Sequence, residues 1–151
     1  MAICWSCKGH IKSETKQLPI QGKPIGQIVN KLDSKANLIF QDSKHNYWFG
    51  SRAKGVYRYD GEKITLFTSD DGLVGNHIIS VQEDKDGQLY FDSPNGICKY
   101  DGHHFEKLEV AETSSSDNWK LEPDDLWFRM GWSNEGPYRC LLYTSPSPRD
   151  S

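Results

Sequence analysis

Long apolar runs are missing from this 151-residue sequence. None approaches the roughly 18 residues of a membrane-spanning helix. An excess of one charge is missing too: the formal net charge is −3 and the isoelectric point about 5.9. That balance gives no sign of the basic surface a nucleic-acid backbone attracts, so no nucleic-acid partner is expected. Cysteine is sparse, and Cys4, Cys7, Cys98 and Cys140 are too irregularly placed for a disulfide framework. No Gly-x-Ser-x-Gly nucleophile motif occurs. Hydrophobic residues make up only 36%, below the roughly 45–50% usual for globular domains, a range that also counts Gly. Aromatic residues are plentiful at 12%, which suits sheets with a core of Trp, Tyr and Phe.

Those aromatics recur in a pattern. Asp42 opens a polar turn that leads to Tyr47-Trp48-Phe49-Gly50-Ser51, then Gly55-Val56-Tyr57-Arg58-Tyr59-Asp60-Gly61. Asp84 opens a second copy, with Leu89-Tyr90-Phe91-Asp92-Ser93 and Gly96-Ile97-Cys98-Lys99-Tyr100-Asp101-Gly102. The step is 42 residues from Asp42 to Asp84 and 41 from Gly55 to Gly96, so the first copy has one extra residue before its glycine. A third copy begins at Leu126-Trp127-Phe128 and Gly136-Pro137-Tyr138-Arg139. A period of roughly 40 residues with aromatic strands and Asp-Gly turns is a signature of propeller blades.

Each copy reads as a four-stranded meander. Strands are expected at 36–41, 46–51, 55–60 and 63–68, and again at 77–83, 88–93, 96–101 and 104–109. Leu38, Ile39 and Phe40 are consecutive apolar residues, as in a strand covered on both faces. Asp60-Gly61 and Asp101-Gly102 supply the positive φ of tight hairpins. The chain divides into a leader over 1–18, a lead-in segment over 19–35 and repeats over 36–68 and 77–109. A polar loop over 110–123 and a truncated repeat over 124–139 follow. Residues 27–32 suggest a short strand that closes a blade. The leader is expected to be unfolded.

Two segments carry separate readings. Cys4-Trp5-Ser6-Cys7-Lys8-Gly9 is open to three: a Cys-x-x-Cys redox or metal pair, the end of a lipoprotein signal with Cys7 as the lipidation candidate, or two idle thiols. A redox pair wants a strand before it and a helix after it, and a zinc site wants a second ligand pair. Lys12-Ser13-Glu14-Thr15-Lys16 would then be a tether behind a lipidated Cys7. Residues 140–151 break the repeat in mid-strand. They resemble the translation of a transposon adapter from sequencing libraries, so they are expected to lie outside the fold as an artefact, with the natural chain continuing past Arg139.

The repeats resemble the two-component regulator propeller family. The likeness rests on Trp48-Phe49-Gly50, the Gly55–Gly61 segment, Ile64-Thr65-Leu66-Phe67-Thr68 and Asp71-Gly72-Leu73, and covers about 36–109 and 124–139. Tyr90 and Asp92 depart from the pattern and suggest a looser or more polar strand end. The repeat-defining structural positions are Trp48, Phe49, Gly50, Gly55, Tyr57, Tyr59, Asp60 and Gly61, then Tyr90, Phe91, Gly96, Tyr100, Asp101 and Gly102, then Trp127, Phe128 and Gly136.

The resemblance implies an all-β fold: a partial β-propeller of two four-stranded antiparallel blades and an incomplete third. It implies a non-catalytic binding or sensory module of the bacterial cell envelope, periplasmic or held by lipid at Cys7. Carbohydrate or another small ligand would sit at the mouth of the channel; in a sensor, signalling domains would lie downstream, whereas a stand-alone propeller lipoprotein, which the leader favours, would lack them. No catalytic residue and no cofactor is expected. A propeller-based lyase or hydrolase and a protein-interaction scaffold are the alternatives. Blades bury their apolar faces only by stacking, and closure takes about four to eight of them. Two and a part should therefore leave apolar faces open and make the chain oligomeric or poorly soluble.

Other candidate chemistry is weak in the sequence. Asp84-Lys85-Asp86-Gly87 opens like a calcium loop, but Asn95 stands where the bidentate Glu should be. Adjacent His103 and His104 point to opposite strand faces and cannot easily share a metal. His45 and His77 are isolated. The pairs Asp70-Asp71 and Asp124-Asp125 fit turn and cap roles better than acid/base work. Trp48, Tyr90 and Trp127 could form a sugar-binding shelf, but inter-blade packing is the expectation.

Overall fold

A computed structural model describes residues 24–109 and 123–129 in full, and the backbone of strands at 2–6, 9–13, 110–112 and 138–142. In chain order the strands are β1 (Ala2–Ser6), β2 (Gly9–Ser13), β3 (Gln27–Val29), β4 (Ala36–Gln41), β5 (Tyr47–Ser51), β6 (Val56–Tyr59) and β7 (Ile64–Phe67). Then come β8 (Ser80–Glu83), β9 (Leu89–Ser93), β10 (Gly96–Tyr100), β11 (Phe105–Glu112), β12 (Leu126–Phe128) and β13 (Tyr138–Leu142). Described residues are all-β apart from a 3-10 turn at Ser69–Asp71.

Two antiparallel sheets form, and neither closes on itself. The first is the meander β4-β5-β6-β7 with β3 added outside β7. The second is built on the meander β8-β9-β10-β11, and its backbone ladder continues from β11 through β2, β1 and β13 to β12. The strands of both meanders fall within a few residues of the expected ones, because alternating aromatics suit pleated strands and each Asp-Gly pair turns the chain. Residues 27–29 pair with β7 of the first repeat's own sheet, where a blade-closing strand was expected.

Other boundaries move. β11 runs on to Glu112, inside the stretch expected to be a polar loop, and pairs with β2. The expectation of an unfolded leader does not hold at 2–6 and 9–13. β13 extends to Leu142, past the boundary drawn at residue 140, and pairs with β1. The physical reason is common to all three: an open strand edge offers unpaired amides and carbonyls, and any extended segment can complete them whatever its side chains.

The core lies between the two meanders. Trp48, Val56 and Phe67 from the first sheet meet Val81, Leu89, Phe91, Cys98 and Tyr100 from the second. Trp48 is the hub, with ring centroids 5.8 Å from Phe67, 5.4 Å from Phe91 and 5.5 Å from Tyr100. The crossing contributes Leu73 and Ile78 to the same cluster. Backbone bonds stitch crossing to sheets: Gly55 N–H to Asn76 O (2.8 Å), Ile78 N–H to Ser51 O (3.0 Å) and Ile79 N–H to Asp92 O (2.8 Å). At the crossing, Thr68 caps the 3-10 turn, and Asp71 accepts from Thr68 N–H (2.9 Å) and Gly26 N–H (2.7 Å). Asp71 therefore has the turn-and-cap role read from its position.

Candidate functional site

The two acidic turns are built alike. Asp42 Oδ1 accepts from the backbone N–H of Lys44 (2.9 Å) and Asn46 (2.8 Å), and Oδ2 accepts from Trp48 Nε1 (2.8 Å). Asp84 Oδ1 accepts from Asp86 N–H (2.8 Å) and Gln88 N–H (2.9 Å), and Oδ2 from the Tyr90 hydroxyl (3.0 Å). The carboxylate folds its own turn and anchors an aromatic ring six residues on. The sequence signal was present in that spacing. Both aromatics carry a donor, and Phe would not.

Saturation by donors fixes what these acids can do. Burial works to raise the Asp42 pKa, but the bonds from Trp48, Asn46 and Lys44 outweigh it and hold the carboxyl below its ordinary range. An acid so held stays ionised and has little basicity for proton transfer. Asp84 is turned inward onto Tyr90 and its own turn in place of a calcium geometry. Burial first, and then the Asp84 carboxylate, raise the Tyr90 hydroxyl far above the ordinary phenol range. Burial pushes the Cys98 thiol up to about 12, which keeps it protonated.

Between the turns, at one end of the inter-sheet seam, lies a crevice of about 110 Å³. Asp42, Lys44, Asn46 and Trp48 line one wall, and Gly87, Leu89 and Tyr100 the other. Arg58 reaches across it. Its guanidinium lies 5.8 Å from the Trp48 ring and 5.4 Å from that of Phe67, and Nη1 donates to the Tyr100 hydroxyl (3.3 Å). Its Nε is buried without an acceptor. Cation–π attraction by two rings compensates for that lost bond. This cation was not singled out from the sequence, although Arg58 stands directly opposite Trp48 in the β5–β6 register.

The remaining sites are dispersed. Trp48 and Tyr90 are buried between layers, Tyr90 against Phe128 at 6.0 Å; Trp127 is half-buried. Asp92, expected at a looser or more polar strand end, is buried and accepts from Arg129 N–H (2.9 Å), so the end is polar but held to the segment after β12, not loose. The Tyr59 and Tyr100 hydroxyls each donate to the glycine carbonyl of their Asp-Gly turn, both at 2.9 Å. Asp101 accepts from His103 N–H and His104 N–H and lies 2.9 Å from His104 Nδ1. His45 is exposed and His77 half-buried. Among the described residues, no three His, Cys, Asp or Glu side chains gather as for a metal, and no helix is long and apolar enough to cross a membrane. Cys7 and Gly136 lie outside the described residues.

No protein-family model matches the chain, and no curated protein matches it either.

Proposed function

We propose that the chain is a non-catalytic binding module of the propeller kind, two stacked blades and part of a third, from a sensory or lipid-anchored protein of the bacterial envelope. One observation carries the reading: the contact between successive repeats is itself repeated. Trp48 of the first packs on Phe91 of the second, and Tyr90 of the second packs on Phe128 of the third. A ring of blades needs such a translatable interface. The saturated acidic turns favour binding over catalysis, because their carboxylates serve the fold.

Carbohydrate is the ligand class this reading favours. The crevice at Arg58, about 110 Å³, is smaller than the roughly 300–1,000 Å³ of small-molecule pockets. It accommodates one polar group of a ligand, and the main binding surface is composed by loops of several blades together. A glycan array followed by calorimetry on the hits tests this. Saturable binding without turnover is the expected result. Hydrolysis or elimination products in the same incubations would favour the lyase or hydrolase reading, and no glycan binding at all would favour a protein scaffold. Fractionation with lipid labelling, lost in Cys7→Ala, tests the tether.

A further inference from the structure

Arg58 and Lys99 hold the same place in the two repeats, Arg58 opposite Trp48 and Lys99 opposite Tyr90. The second repeat supplies its cation with a carboxylate. Glu106 stands opposite Lys99 across β10 and β11, with Nζ 3.1 Å from Oε2. The first repeat puts Thr65 at that place, opposite Arg58 across β6 and β7. Among the described residues, no carboxylate lies within ion-pair distance of Arg58, and its one hydrogen bond goes to the Tyr100 hydroxyl. A half-buried guanidinium with five N–H donors is thus left with most of them unanswered by the fold.

The crevice at Arg58 has the charge and the size for what is lacking. Arg58 and Lys44 both line it, and Lys44 is exposed. Among the described residues Asp42 is the one carboxylate of the lining, and its oxygens are turned to Lys44 N–H, Asn46 and Trp48. Two cations against one carboxylate leave one positive charge, which suits a monoanion better than a dianion. The buried rings of Trp48 and Phe67 flank the guanidinium, and their low polarity strengthens a charged contact beside them. A volume of about 110 Å³ is that of about three or four waters at ~30 Å³ each. It has room for a carboxylate with the carbon that bears it, and for little more.

We propose that the Arg58 crevice is a carboxylate subsite, in which the guanidinium takes the two oxygens of a ligand's carboxylate and Lys44 is the second cation. Because Nε is buried, the terminal nitrogens are the part a ligand reaches. Paired N–H bonds to a carboxylate are the geometry that arginine provides and lysine does not. The fold accordingly has Lys at position 99, where it supplies the carboxylate itself, and Arg at position 58, where it does not. The inference deepens the binding reading above and rests on it: it names the polar group that the crevice takes.

An NMR titration of the full chain with sodium acetate, against sodium chloride at the same ionic strength, reads the bare group. Saturable shifts of the Trp48 indole N–H and of the Lys44, Gly87 and Gly102 amides are expected, with a roughly millimolar dissociation constant. Lys44→Gln leaves the core untouched and is expected to weaken acetate about threefold. Arg58→Lys keeps the charge, loses the fork and is expected to weaken it about tenfold. Lys31→Gln, an exposed cation outside the crevice, is expected to change nothing. Acetate shifts no larger than those of chloride overturn the subsite, as does acetate binding undiminished in both Lys44→Gln and Arg58→Lys, or sulfate binding more tightly than acetate. Glucuronate and glucose then separate this inference from the carbohydrate reading. Glucuronate tighter than both acetate and glucose places the carboxylate on a sugar. Glucose as tight as glucuronate overturns the subsite and leaves the carbohydrate reading standing. Glucuronate no tighter than acetate, with glucose silent, keeps the subsite and overturns the carbohydrate reading.

Discussion

Tyr100 in the second repeat is 4% exposed, and Tyr59, its counterpart in the first, is 37% exposed. The two tyrosines share a backbone setting, an Asp-Gly turn and a hydroxyl bond to the turn glycine. They differ only in whether another layer lies over them. Local sequence therefore builds the sheet, and stacking decides what the sheet is worth. Burying an aromatic side chain is worth about 1.5–3 kcal/mol, against about 0.5–1.5 kcal/mol for a neutral hydrogen bond such as the one each hydroxyl makes, and the turn bonds are shared by both repeats, so the energetic difference between them lies in the covered face.

The largest expected effect breaks that symmetry directly. Phe91 is fully buried and touches Trp48 and Phe105, so Phe91→Ala is expected to destabilise by about 3–5 kcal/mol. Phe49→Ala, the same change at the counterpart, is expected to cost about 1 kcal/mol or less while its face is open. Urea titrations of both variants at a concentration where the chain is monomeric measure the contrast. Equal losses would mean that the first sheet's outer face is already covered.

The next effect separates the two acidic turns. Asp42→Ala leaves the buried Trp48 N–H without its acceptor and frees the Lys44 and Asn46 amides. A loss of about 2–3 kcal/mol is expected. Asp84→Ala should cost less, because Asp42 also binds the Asn46 side chain through two contacts that Asp84 lacks. Chemical unfolding of the pair ranks them.

Acid sharpens the same comparison. Despite the opposing pull of burial, the Asp42 pKa is lowered in the folded protein. A lowered folded pKa gives stability that is present above the unfolded carboxylate value, about pH 4, and lost as pH falls through the folded pKa. Asp101 contributes with the same sign, its bonds from His104 and His103 outweighing burial. Stability followed from about pH 7 to pH 3 should therefore fall at the acid end. In Asp42→Asn that fall should be shallower, and an unchanged slope would remove Asp42 as its source.

Much of this was legible in the sequence, for a physical reason. Two copies of one pattern report each strand twice, so Tyr57 and Cys98 check each other's register where one copy alone would be ambiguous. Asp-Gly turns fix hairpin ends because few residues take their backbone angles. What stayed hidden was long-range. Nothing in Gln27-Ile28-Val29 says that β7 is its partner, and nothing in Gly9–Ser13 says that β11 is. Backbone pairing at an open edge carries almost no side-chain signature. The crevice was hidden likewise: Arg58 reads as a solvated strand cation until Trp48 and Phe67 enclose it.

The smallest effect lies where one copy breaks its own rule. Gly87 has φ +79°, and its counterpart 42 residues earlier is His45 at φ +67°. Both close the acidic turn, with the N–H of each donating to the carbonyl of Asp42 or Asp84. A side chain in the left-handed region costs roughly 1–2 kcal/mol. Glycine relieves that cost and gives back roughly 0.5–1 kcal/mol through the freedom it adds to the unfolded chain. His45 is exposed, so little packing is lost with its ring. His45→Gly is therefore expected to stabilise by about 0.5–1 kcal/mol, and Gly87→Ala to destabilise by a similar amount. Thermal melts of the two variants should shift in opposite directions. A shift of the same sign in both would mean that the turns, although built from the same bonds, are not held in the same backbone state.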